Sequence, residues 1–225
     1  MRATTVLAAS LAAAAALTLT ACGGGSGDSD TIDGGPSRSP AAVVTTTPAT
    51  TAPPAAPPVT ADPHLALPAD LKLVFDWPVP SDHAEAAALG NAANYLRAIA
   101  HGIVNRSADD PAVGQYARPG SGAMTYARAQ IKQALDGGWT ETGTDRYYRP
   151  TVTLGSAKNG ATVGLCDFQG KVYGKNLRTN RLLGTAVSDN SYVYFTIVMA
   201  RFPTGADLWQ AVSVDVKAKA TQCKE

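Results

Sequence analysis

A break in composition near residue 68 decides how much of this chain can fold. From Gly23 to Pro68 the sequence is almost wholly Gly, Pro, Ala, Ser and Thr, with nine of the fifteen prolines and no Phe, Tyr or Trp. Such a stretch buries too little apolar surface to offset the entropy of ordering its backbone, so residues 22–68 are expected to be a disordered tether. The Gly/Ser part should be flexible and the Pro/Thr part, Pro48 to Pro58, extended. O-glycosylation of the threonines, or a proline motif for a partner, is the less economical reading of the same residues. What remains, residues 69–225, is long enough for one domain with a real core.

Upstream of the tether, Arg2 is followed by an apolar run from Val6 to Leu19 rich in Ala and Leu. Its length suits the h-region of a signal peptide and is short for a bilayer span of ~20 residues. The next residues, Leu19-Thr20-Ala21-Cys22, resemble a bacterial lipobox. That resemblance implies removal of residues 1–21 and diacylglycerol on Cys22, which then begins the mature chain. Acyl chains on one residue meet the requirement for stable membrane anchoring. The alternatives are an uncleaved N-terminal helix and a secreted chain without lipid.

With Cys22 assigned to lipid, two of the three cysteines remain, Cys166 and Cys223. An even pair outside the cytoplasm is expected to form a disulfide, the alternative being two buried thiols. Between residues 69 and 225 there are 17 Lys and Arg against 14 Asp and Glu, with no run of either sign. A nucleic-acid surface would show a basic stripe, so no nucleic-acid partner is expected.

Within the domain, Asp82 followed by Glu85 reads as a capping box opening a long amphipathic helix to about Asn105. Leu89, Ala92, Tyr95 or Leu96, Ile99 and Ile103 form its apolar stripe. Asp110-Pro111 starts a short helix that fails by Arg118-Pro119-Gly120. Met124, Ala127, Ile131 and Leu135 mark a third, closed by Gly137-Gly138. Strands are then expected at Tyr147–Leu154 and Ala161–Phe168, joined through Asn159-Gly160. Gln169-Gly170 reads as a turn into a short strand, Lys171–Lys175. Tyr192–Phe202 reads as a central strand buried on both faces, and Leu208–Lys217 as an alternating one. Helices followed by an antiparallel meander make an α+β domain.

The domain resembles the nuclear-transport-factor-2-like cone (polyketide-cyclase or ketosteroid-isomerase type) found in actinobacterial lipoproteins. The residues that carry this are Tyr95-Leu96 in the first helix, Trp139 after the last helix, Val163-Gly164-Leu165-Cys166-Asp167, the turn at Thr179-Asn180-Arg181, and Trp209 in the final strand. The resemblance spans roughly 85 residues and its motifs are loose. It implies N-terminal helices packed on a curved antiparallel sheet, with a pocket at the wide end. A departure is the lack of a strand pair between the second and third helices. The runner-up is another α+β sandwich with helices on one face of an antiparallel sheet.

No metal or cofactor is expected: His83 and His101 lie ~27 Å apart on one helix at 1.5 Å per residue, and no phosphate loop or nucleophile elbow occurs. No catalytic set can be named from the sequence. Tyr95, Trp139, Tyr148 and Asp167 are the candidate pocket lining, with aromatic core as the plainer role. The leading expectation is a non-enzymatic binding or adaptor module on the outer face of the cytoplasmic membrane, in a cell envelope of high-GC Gram-positive type. It would be held there by Cys22 and meet an envelope protein or an apolar small molecule. The alternative is a lyase or isomerase using a pocket carboxylate, Asp167, with a tyrosine.

Overall fold

Three helices form where the local signals place them. The computed structural model describes residues 61–184, 186–203 and 207–225, and the signal peptide, Cys22 and the tether up to residue 60 lie outside those. Helix α1 (His83–Val104) begins where the Asp82 carboxylate accepts hydrogen bonds from the backbone N–H groups of Ala84 and Glu85, at 2.8 and 3.1 Å. This satisfies donors that the first turn leaves unpaired. Helix α2 (Pro111–Tyr116) is capped by Asp110 with proline at its first position. Helix α3 (Gly122–Gly137) is capped by Ser121 and ends at Gly138, whose φ of 65° is left-handed.

The two strands that follow the last helix are longer than expected. A first strand, β1 (Leu71–Asp76), precedes α1 and was not anticipated. After α3 the chain runs through β2 (Trp139–Leu154), β3 (Gly160–Asn176), the two-residue β4 (Leu182–Leu183), β5 (Tyr192–Arg201) and β6 (Trp209–Ala218). The strand order is β1-β2-β3-β5-β6, with β4 paired to β3. Every pairing is antiparallel except β1 with β2, which is parallel. The domain is therefore α+β, with a six-stranded, mostly antiparallel open sheet and three helices; the expected meander is corrected at its β1 edge.

Two further strand readings change. Gln169-Gly170 is no turn but lies inside β3, where Gly170 leaves room for its neighbours: a Cβ there would lie 2.3 Å from the Phe168 ring. Nor is β5 buried on both faces. Val193, Phe195, Ile197 and Met199 are buried while the residues between them are partly or fully exposed. Only one face of the sheet is covered by helices, so the strand alternates.

Long strands stay on one core by bending. Register shifts interrupt the β2–β3 ladder between Thr144 and Arg146 and again between Tyr148 and Thr151. Gly143 sits beside the first with φ 100°, and a Cβ there would meet the Lys171 carbonyl oxygen at 2.2 Å. Both conditions demand glycine. The bent sheet packs its inner face on α1, whose Ala88, Leu89, Ala92, Tyr95, Leu96, Ile99 and Ile103 are all buried. The alanines allow close approach of the helix to the sheet.

The folded region also reaches upstream of residue 69. Asp62 caps a 3-10 turn over Pro63–Leu65, and Leu65 is buried in the core. Asp62 also accepts a hydrogen bond from the Tyr116 hydroxyl at 2.7 Å.

On the outer face a second, smaller cluster joins Tyr148, Cys166, Ala220 and Cys223. Cys166 and Cys223 form a disulfide, with Cα atoms 5.4 Å apart. It fixes the C-terminal turn Thr221–Cys223 against the sheet, helped by Arg149, which donates to the carbonyls of Gln222 and Lys224 at 3.0 and 3.2 Å.

Candidate functional site: an acid-floored cleft

The inner face of the sheet is apolar except at one end, where β2 and β3 turn carboxyl groups toward the helices. Tyr147 on β2 is the cross-strand partner of Asp167 on β3, and Asp145 lies two residues before Tyr147 on the same face. Asp145, Tyr147 and Asp167 are all buried. The Tyr147 hydroxyl donates to Asp145 Oδ2 at 2.7 Å, and the Gln169 amide donates to Asp167 Oδ2 at 2.7 Å. The two carboxyl groups are within hydrogen-bonding reach of each other. Their Oδ1 atoms have no hydrogen-bond partner among the described residues.

Two interacting carboxyl groups out of water disfavour being charged together. Burial raises the Asp167 carboxyl well above the usual range, and the neighbouring Asp145 charge adds to it. Burial raises Asp145 too, against the opposing hydrogen bonds from Asp167 and Tyr147. Glu141, half-buried on the same strand, is pushed up to about 7, first by burial and then by Asp145. Tyr147 is pushed well above its ordinary value by burial and the two aspartates, and Tyr126 to about 12 by burial and the charge of Asp167.

Above this floor lies a cavity of about 80 Å³ between the sheet, α1 and α3. Glu141, Asp145 and Tyr147 form one wall, Gln130 and Tyr126 of α3 another, and Leu96, Ile99 and Ile103 of α1 the third. A shallower depression of about 240 Å³, bordered by Trp139, Tyr173 and Leu183, shares Glu141 with it. Glu141 thus stands between mouth and floor. The inner space is small beside the ~300–1,000 Å³ of common ligand pockets, with room for a small polar group.

The four candidate lining residues part company here. Asp167 is fully buried behind Asp145 and does not itself line the cavity, while Trp139 stands at the mouth. Tyr95 is fully buried in the core, its hydroxyl donating to the Ala123 carbonyl at 2.8 Å. Tyr148 is on the opposite face, because it pairs across the ladder with Cys166, and its hydroxyl donates to the Cys223 carbonyl. The sequence reading missed Glu141, Asp145, Tyr147 and Gln169. The alternation Trp139, Glu141, Gly143, Asp145, Tyr147 was the available signal, hidden by starting the strand at Tyr147.

His83 and His101 pair with different carboxylates, Asp207 at 3.4 Å and Asp110 at 2.9 Å. Among the described residues no group of three or more His, Cys, Asp or Glu is arranged to hold a metal, and no helix is long and apolar enough to cross a membrane. No protein-family model matches the chain, and no curated protein matches it.

Proposed function

We propose that this chain is an exported lipoprotein, anchored through Cys22 to the outer face of the cytoplasmic membrane, whose domain is a binding module of the nuclear-transport-factor-2-like class. The lipobox-like Leu19-Thr20-Ala21-Cys22 supports the anchor. An α1 lying along the inner face of a bent sheet, with a cleft at one end, supports the class. β1, which comes before the first helix, departs from it.

The observation that carries the binding role is the buried Asp145 carboxyl in the cleft wall, with Asp167 behind it and no Lys or Arg paired to either among the described residues. An apolar guest would leave these groups as they are. A small guest presenting an ammonium or several N–H groups would supply the missing donors and displace a proton from the pair. The cleft thus selects a small amine over the apolar molecule suggested by sequence. Tyr147 spends its hydroxyl on Asp145, so it is not free to stabilise charge on a substrate, and this favours binding over catalysis. One observation favours a lyase or isomerase instead: Glu141, near 7 at the mouth, is poised as a general base.

The test is calorimetry of the mature chain against ethanolamine and putrescine in buffers of different ionisation enthalpy. Binding with proton release, abolished in Asp145→Asn/Asp167→Asn, is the expected result. Heats that are absent, or unchanged in the double variant, overturn the reading. Palmitate labelling of the expressed chain, lost in Cys22→Ser, tests the anchor.

A further inference from the structure

Away from the cleft, the tip of the β3–β4 hairpin has no assigned role. Asn176 builds the reversal. Its side-chain oxygen accepts from the backbone N–H groups of Arg178 and Thr179 at 3.1 and 2.9 Å and from the Thr179 hydroxyl at 3.0 Å. Its own N–H donates to the Arg181 carbonyl, and Asn180 takes a φ of 55°. The turn is braced by its own hydrogen bonds, yet it holds apolar side chains in water: Leu177, Leu182 and Leu183 are 44, 58 and 47 % exposed.

Charge on the same segment is one-signed. Lys171, Lys175, Arg178 and Arg181 fall between Gly170 and Ser188, a stretch with no Asp or Glu. Lys175 reaches Asp70 at 3.2 Å, whereas Arg178 and Arg181 have no ion-pair partner among the described residues. Leucines beside unpaired arginines are the combination that enters the headgroup region of an anionic bilayer. A pre-formed turn loses little freedom on docking.

We propose that this hairpin tip docks on an anionic lipid surface, Leu177, Leu182 and Leu183 entering the interface while Arg178 and Arg181 meet the phosphates. The proposal takes its membrane from the lipid-anchored reading above. Between Cys22 and Ala61 stand 38 residues, a contour of at most about 130 Å, which lets any face of the domain reach the bilayer. Orientation must therefore come from the domain's own surface.

The experiment is vesicle flotation of the mature chain carrying Cys22→Ser, so that no sample has an acyl chain. It should float with vesicles of equal parts phosphatidylglycerol and phosphatidylcholine, remain behind with phosphatidylcholine alone, and be released by salt. Leu182→Asp/Leu183→Asp and Arg178→Glu/Arg181→Glu should each weaken partitioning by on the order of tenfold or more. The arginine variant alters only exposed side chains, so it keeps the test valid if the leucine variant folds poorly. No flotation with anionic vesicles, or flotation that the arginine variant retains, overturns the proposal. So does a dimer in sedimentation that depends on these leucines without any vesicle binding. Because no sample carries an acyl chain, failure here leaves the Cys22 anchor untouched, and failed palmitate labelling would not alter these outcomes.

Discussion

Replacing Glu141 by Gln should remove a pH dependence of stability whose size follows from its position. Unfolded, this carboxyl releases its proton near 4.5; folded, it keeps it to about 7. The folded state therefore binds more protons throughout that window, and stability falls as pH rises from 4.5 through 7. A difference of 2.5 pH units between those two values corresponds to about 3 kcal/mol, as an upper figure, at 1.36 kcal/mol per unit. The amide has nearly the same shape and no charge to bury, so Glu141→Gln should be more stable than the parent by about this amount at pH 8 and nearly equal to it at pH 4. Urea unfolding between pH 4 and 8.5, with the disulfide intact, measures this directly. Asp145 and Asp167 have raised values too, so some loss with pH will persist in the variant. Parallel stability curves for parent and variant would refute the account, because Glu141 would then be titrating in water.

Other outcomes follow from the packing. Changing both Cys166 and Cys223 to Ala opens a loop of 57 residues and should cost about 4 kcal/mol on the chain-entropy model, read as a lowered urea midpoint. Leu65→Ala should cost on the order of 2–3 kcal/mol, because the side chain is buried in the core; a midpoint equal to the parent's would move the folded boundary back to residue 69. Gly143→Ala should lower the melting temperature and the yield of folded protein, since it strains a φ of 100° and meets the Lys171 carbonyl. Tyr95→Phe should cost about 1 kcal/mol in urea unfolding, from the lost hydrogen bond to Ala123.

The helices were legible because their signals are local. Asp82, Asp110-Pro111 and Gly137-Gly138 each act within a turn of the residue that carries them. The cysteine pair was legible by counting alone. Strand faces were harder to read, because a bulge moves the buried side by one residue. Tyr147 faces the core, yet beyond Arg149 (φ 49°) it is Val152 and Leu154 that do. β1 was missed because it follows directly on a proline-rich stretch, and its pairing with β2 is a long-range contact. As for the site, Asp167 was named, but its partners lie on a part of β2 whose Glu141, Thr142, Thr144 and Asp145 look like a solvated connection. Tyr148 was assigned to the wrong face for want of the register. It stands opposite Cys166, so it must face away from Asp167.

The disulfide also sets how the domain answers a pull. Cys166 lies in β3, in the middle of the sheet, and Cys223 beyond the end of β6, so β4, β5 and β6 fall inside one covalent loop. Traction on the chain beyond Cys223, as from a processive protease, bypasses the edge strand β6 and loads β3 directly. There β3 is held on both sides, by β2 and by β5, and its hydrogen bonds must shear together instead of opening one after another. Reduce the bond, and the same pull would unzip the sheet from its edge.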